Sequence, residues 1–104
     1  MINITLRQLR AFVEVARQGS FTSAARNLHL PQSAISALVQ ELERQLGLVV
    51  LNRTTRRITL TDPGSQMLLF AERVLRDVDS AVATAKGLLD KSRGRVVVAA
   101  SPLA

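Results

Sequence analysis

The sequence contains no cysteine, no tryptophan and no tyrosine, and only three phenylalanines. Without cysteine there is neither a disulfide framework nor a thiolate zinc site, which fits a reducing cytoplasm. Without an aromatic platform, RNA recognition by base stacking has little to use. No apolar run approaches the ~20 residues that a membrane-spanning helix requires, and the N-terminus lacks a signal-peptide pattern. The single histidine, His29, has no cysteine beside it, and no carboxylate pair is spaced for acid–base work. A metal site and an enzymatic activity are therefore not expected.

What is present is a helix-forming composition. The 104 residues allow one small domain plus an appendage. At 47% hydrophobic the chain should fold, and its Leu, Val, Ile and Ala suit helix packing. The net charge of +6 is unevenly placed. Residues 1–61 carry Arg7, Arg10, Arg17, Arg26, Arg44, Arg53, Arg56 and Arg57 against Glu14, Glu41 and Glu43, a balance of +5. Residues 62–91 carry four cations against five anions, a balance of −1. A compact basic segment beside a near-neutral one is the footprint of a polyanion binder, although a merely soluble surface can have it too.

Leu6, Leu9, Phe12, Val13 and Ala16 recur at three and four residues, which predicts a helix over Thr5 to Gln18. Thr5 is its N-cap and Gly19 its stop. A short second helix follows, with Thr22 as cap and Phe21 packing inward before it. After a turn at Asn27 to Pro31, Pro31 suits the first position of a third helix that ends at Gly47. Ala34, Ile35, Leu38, Val39, Leu42 and Leu46 mark its inner face. The outer face carries Gln32, Ser33, Ser36, Ala37, Gln40, Glu43 and Arg44, with no acidic residue in its first two turns, since Glu41 and Glu43 come later.

Leu48 to Leu51 and Ile58 to Leu60 read as a small hairpin whose tip, 52–57, holds Arg53, Arg56 and Arg57. Thr61 then caps a long helix over Asp62 to Lys91, roughly 45 Å at about 1.5 Å per residue. Met67, Ala71, Val74, Val78, Ala81, Ala85 and Leu88 keep a four-three spacing along it, and Leu68, Leu75, Val82 and Leu89 add a flanking row. A heptad seam of this length outruns the core of one small domain and implies a partner helix, with part of it free to pack on the same chain. The expected divisions are a winged helix-turn-helix at 1–61, with the helix-turn-helix at about 21–40 and the wing at about 48–60. A linker and dimerisation helix occupies 62–92. Residues 93–104 read as a hinge and the first strand of a further domain that is absent.

The fold class is thus mostly α: three helices, a short β-hairpin wing and a long dimerisation helix. In such an arrangement the third helix can enter the major groove of double-stranded DNA. Gln32 and Gln40 can offer an amide pair to adenine, Ser33 and Ser36 can bond bases or phosphates, and Ala37 can touch a thymine methyl. Arg53, Arg56 and Arg57 would reach phosphates or an adjacent minor groove. Taken singly, the serines could be local caps and the glutamines a solvated face; beside a basic wing, DNA contact accounts for them together.

Leu6-Arg7-Gln8-Leu9-Arg10-Ala11-Phe12, Gly19-Ser20-Phe21-Thr22-Ser23-Ala24-Ala25 and Leu28-His29-Leu30-Pro31-Gln32-Ser33-Ala34-Ile35-Ser36 resemble LysR-type transcriptional regulators. The match continues through Leu42-Glu43, Leu46-Gly47, Arg53-Thr54, Arg56-Arg57 and Leu60-Thr61 to Gly64. The resemblance implies a bacterial, cytoplasmic, nucleoid-associated transcription factor that binds an inverted-repeat operator as a homodimer. It implies tetramers for the full-length protein. It also implies a small-molecule inducer for the missing C-terminal domain, and no cofactor in this fragment. By position, Gln32, Ser33 and Ser36 match contacting residues of the recognition helix, Thr22 a phosphate-contacting helix start, and Arg53 a wing arginine. Two departures stand out: Ala37 replaces a frequent arginine, and Pro31 replaces the more usual Ser or Thr cap. The alternative class is a winged-helix protein–protein interaction module, distinguished by its weak response to salt.

Overall fold

The computed structural model describes residues 2–53 and 57–94. The first helix, α1 (Leu6–Gln18), starts in a capping box. The Gln8 amide N–H donates to Thr5 Oγ1 and the Thr5 N–H donates back to Gln8 Oε1, both at 3.2 Å. Two donors that a helix start would otherwise leave without acceptors are satisfied reciprocally. Gly19 ends the helix at φ +67°, a left-handed conformation that glycine adopts without a Cβ clash.

The second helix, α2 (Phe21–Leu28), starts earlier than its sequence suggests. Ser20, in extended conformation, is the cap and accepts from the Ser23 N–H at 3.1 Å. Ser20 stands directly after the Gly19 reversal, so the chain turns helical at once. That places Phe21 in the first turn and moves Thr22 onto the helix surface. His29, at φ +57°, closes α2. The third helix, α3 (Gln32–Leu46), begins one residue after Pro31, which is its N-cap and makes no side-chain cap bond. The Pro31 carbonyl instead accepts from Ala34 and Ile35 at 3.0 and 3.2 Å.

The hairpin is shorter than the apolar runs predict: β1 (Leu51–Asn52) pairs antiparallel with β2 (Thr59–Leu60), Leu51 opposite Leu60. Residues 48–50 do not join the ladder because their polar groups are taken elsewhere. The Val50 N–H donates to the Glu43 carboxylate at 3.0 Å. The carbonyls of Val49 and Val50 accept from the Thr61 hydroxyl and N–H at 2.7 and 3.1 Å. Thr61 Oγ1 also accepts from the Gly64 N–H at 2.9 Å, so one hydroxyl caps the last helix and ties it to the strand before the wing. Gly64 is confined there, since a Cβ on it would lie 2.0 Å from the Val50 carbonyl oxygen.

The last helix, α4 (Asp62–Gly94), has 33 residues and ends at Gly94 rather than Lys91, so the first residues of the expected hinge at 93–104 are helical, and its residues 79–91 are all exposed. The core joins Phe12 and Val15 of α1, Ala24 of α2, Ile35, Val39 and Leu42 of α3, Val50 and Leu51, and Ala71 and Leu75 of α4. The expected strand in 95–104 and the wing-tip residues Thr54, Thr55 and Arg56 lie outside the described residues.

Candidate nucleic-acid interface

On α3 the inward positions Ile35, Val39 and Leu42 are fully buried, which fixes the opposite face outward. Gln32, Ser33, Ala37 and Gln40 are exposed and Ser36 is partly so. By helix geometry the N–H groups of the first turn, Gln32 and Ser33, have no partner within the helix and face out from its start. Thr22 of α2 stands beside them, its hydroxyl donating to Gln32 Oε1 at 3.0 Å. This bond ties the surface of α2 to the first side chain of α3.

The two glutamates of α3 have been removed from that face in different ways. Glu41 is on the flank, bonded by the Arg44 guanidinium and by Gln45 Nε2 at 2.8 Å. Arg44, then Gln45, holds its carboxyl down at about 2, well below the usual 4.5. The same bond raises the pKa of Arg44, so the pair stays fully charged at neutral pH. Glu43 is drawn inward under the wing, its side chain only 14% exposed. Its Oε2 accepts from the N–H groups of Val50 and Leu51 at 3.0 and 3.4 Å, and its Oε1 from Arg53 at 3.3 Å.

Arg53 is therefore brought to α3, although it is numbered with the wing. Its guanidinium carbon also lies 5.1 Å from the centre of the Phe21 ring, within cation–π range. Arg57 is exposed, and Arg56 lies outside the described residues. Sequence reasoning placed Glu43 on the outer face and missed this junction. The available signal was its position one residue after the buried Leu42, at the point where the wing must fold back.

The seam on α4 is divided. Ala71 is 3% exposed and packs in the chain's own core, with Met67 partly buried against it. Val78 is partly buried, while Val74, Ala81, Ala85 and Leu88 are exposed. Leu69 and Phe70, outside the predicted seam, are also exposed. Phe70 and Val74 line an apolar groove of about 240 Å³ with Ile4, Leu9 and Leu46. On the other side of α4, Arg17 of α1 pairs with Glu72 at 3.2 Å. No helix among the described residues is long and apolar enough to cross a membrane.

Three helices, a tight turn before the third and a two-stranded wing define a winged helix-turn-helix protein. The profile of the bacterial regulatory helix-turn-helix proteins of the lysR family matches residues 6–65, and the chain belongs to that family. It is 42% identical over 100 residues to the HTH-type transcriptional regulator YfeR of Shigella flexneri, covering 96% of this chain and 32% of that protein. It is 40% identical over 95 residues to the regulator CfxR of Cupriavidus necator, covering 91% of this chain and 30% of that one. The chain thus spans about a third of the length of these relatives. Among solved structures, a BenM_DBD/catB site 1 DNA complex superimposes with a TM-score of 0.79 at 36% identity, covering 82% of this chain and 94% of that one.

Proposed function

We propose that this chain reads an inverted-repeat operator in double-stranded DNA as a homodimer, for a regulator of transcription. One observation carries the reading: the outer face of α3 is exposed and free of available carboxylate, because Glu41 and Glu43 are both held in intramolecular ion pairs. A groove lined by phosphates would repel an unpaired glutamate at either position. In this reading Gln32 and Gln40 address base edges, Ser33 and Ser36 bases or phosphates, and Ala37 a thymine methyl. Thr22 and the helix start take phosphate, and Arg53, Arg56 and Arg57 serve the wing. That the BenM domain is solved in complex with DNA supports DNA as the partner of this fold.

Pairing is assigned to α4. Its far half carries Val82 and Leu88 at 47% and 55% exposure, too much apolar surface for a helix left in water. The symmetric occupant is the same helix of a second copy. Inducer binding and tetramer formation belong, in this reading, to sequence that these 104 residues do not include.

The test is selection of bound duplexes from a random pool, with sedimentation of the free protein. An enriched inverted repeat and a dimer are expected. A protein that enriches no repeat, or that sediments as a monomer at high concentration, overturns the corresponding half of the proposal. Steep weakening of binding with rising salt separates this reading from a protein-interaction module.

A further inference from the structure

We infer that Glu43 is a positioning residue for the wing, holding Arg53 against α2 and α3 and so setting how sharply the module separates its operator from other DNA. The inference rests on the DNA-binding reading and deepens it. Three structural elements meet at one guanidinium: the Phe21 ring of α2 at 5.1 Å, the Glu43 carboxylate of α3 at 3.3 Å, and the chain leaving β1 on which Arg53 sits. The same carboxylate takes the N–H groups of Val50 and Leu51, so the start of the wing is pinned at three points. The Glu43 side chain is only 14% exposed, and the Arg53 side chain is 32% exposed.

Two physical consequences follow. A long arginine has many rotamers, and holding it in place beforehand lowers the ordering cost of a contact that uses that one position. A carboxylate at 3.3 Å also offsets its charge, so that it adds little to indiscriminate attraction toward phosphate. Freed from Glu43, Arg53 would meet any phosphate in reach and lose its fixed register. Binding to random DNA should then hold or rise, while discrimination falls.

Glu43→Gln separates these effects from simple structural damage, because the amide oxygen still accepts from Val50 and Leu51 while the charge is gone. The experiment titrates the whole chain with the selected operator duplex and a random duplex of equal length, at several salt concentrations. For Glu43→Gln, the ratio of operator to random affinity should fall about tenfold, the scale of one hydrogen-bonded charge pair. Its salt slope should steepen by about one for the released cation. Arg53→Lys keeps the charge but loses the planar fork, so it should lower the ratio without steepening the slope. Arg53→Gln leaves Glu43 and its backbone bonds intact and should also lower the ratio. Adding Glu43→Gln to Arg53→Gln should then cost nothing more. A Glu43→Gln protein with the wild-type ratio and slope overturns the inference, as does a full additional loss in the double variant. Failure of the wild type itself to prefer any duplex would instead overturn the DNA-binding reading beneath it.

Discussion

The first and second halves of α4 are one uninterrupted helix with one heptad spacing, yet they lie in opposite surroundings. In the first, Gly64 is pressed against the Val50 carbonyl, and Ala71 and Leu75 are 3% and 7% exposed in a core shared with α1 and α3. In the second, Val82 and Leu88 stand about half exposed. The periodicity of an apolar seam specifies that a face will be covered and leaves open by what. Here the covering of the first half is intramolecular, so that half completes the domain. The second half projects the same stripe past the edge of the domain. Stability of the folded unit should accordingly depend on the first half, and assembly on the second.

The largest effect is expected where that division is anchored. Gly64→Ala places a Cβ 2.0 Å from a backbone oxygen that cannot move independently. The start of α4 or the strand before the wing must shift, at a cost on the order of 3–5 kcal/mol. By thermal circular dichroism the midpoint should fall by roughly 15 °C or more, given about 4–8 °C per kcal/mol for a domain of this size. An unchanged midpoint would show that the start of α4 is not packed against the domain. Leu75→Ala comes next, at about 2–4 kcal/mol for a buried leucine, and the loss should be independent of protein concentration. Its counterpart is the pair Val82→Asp and Leu88→Asp. In dilute protein these changes should leave the domain's unfolding nearly unaltered, because both side chains are already exposed. In sedimentation they should raise the dimer dissociation constant about a hundredfold or more, since two charges would be buried in each strand of the seam. Should they melt the dilute protein as Leu75→Ala does, the second half would be part of the domain after all.

The same division explains what could be read from the residues in advance. Thr5 with Gln8, Gly19, Gly47 and Thr61 all act within a few residues of themselves, so caps and stops are legible and all four helices are found. The start of α2 is misplaced because Ser20 and Thr22 are both good caps, and only the Gly19 reversal decides between them. The hairpin is overextended because the apolar run 48–51 cannot reveal that the Val50 and Leu51 N–H groups will be claimed by Glu43, eight or fewer residues away in sequence but on another element. The outer face of α3 is legible through periodicity, and each of Gln32, Ser33, Ala37 and Gln40 is found exposed. The junction at Arg53 is not, because it depends on a helix, a ring and a wing meeting in three dimensions. Ala71 likewise shares its spacing with Ala81 and Ala85, and nothing in that spacing shows that only Ala71 is buried by its own chain.

Two smaller effects sharpen the contrast. Arg17→Ala removes the ion pair from α1 to Glu72, on the embedded half of α4. With the arginine side chain 58% exposed, the loss should stay below about 1 kcal/mol and fade in high salt. The smallest effect concerns Glu41, whose carboxyl is held at about 2 by Arg44 and Gln45. Its folded pKa lies below the unfolded value of 4.5, so the unfolded chain binds the extra proton first as acid is added. The stabilisation is therefore complete above pH 4.5 and declines as the pH falls toward about 2. Solvent reaches both side chains, 69% exposed for Arg44 and 37% for Glu41, which keeps the contribution small. Glu41→Gln should flatten this part of the acid limb in a series of thermal melts. Because the pair lies on α3, away from the exposed second half of α4, the Val82→Asp, Leu88→Asp protein should show the same limb as the parent. A limb that disappears with the dimer would tie Glu41 to assembly and erase the boundary drawn along α4.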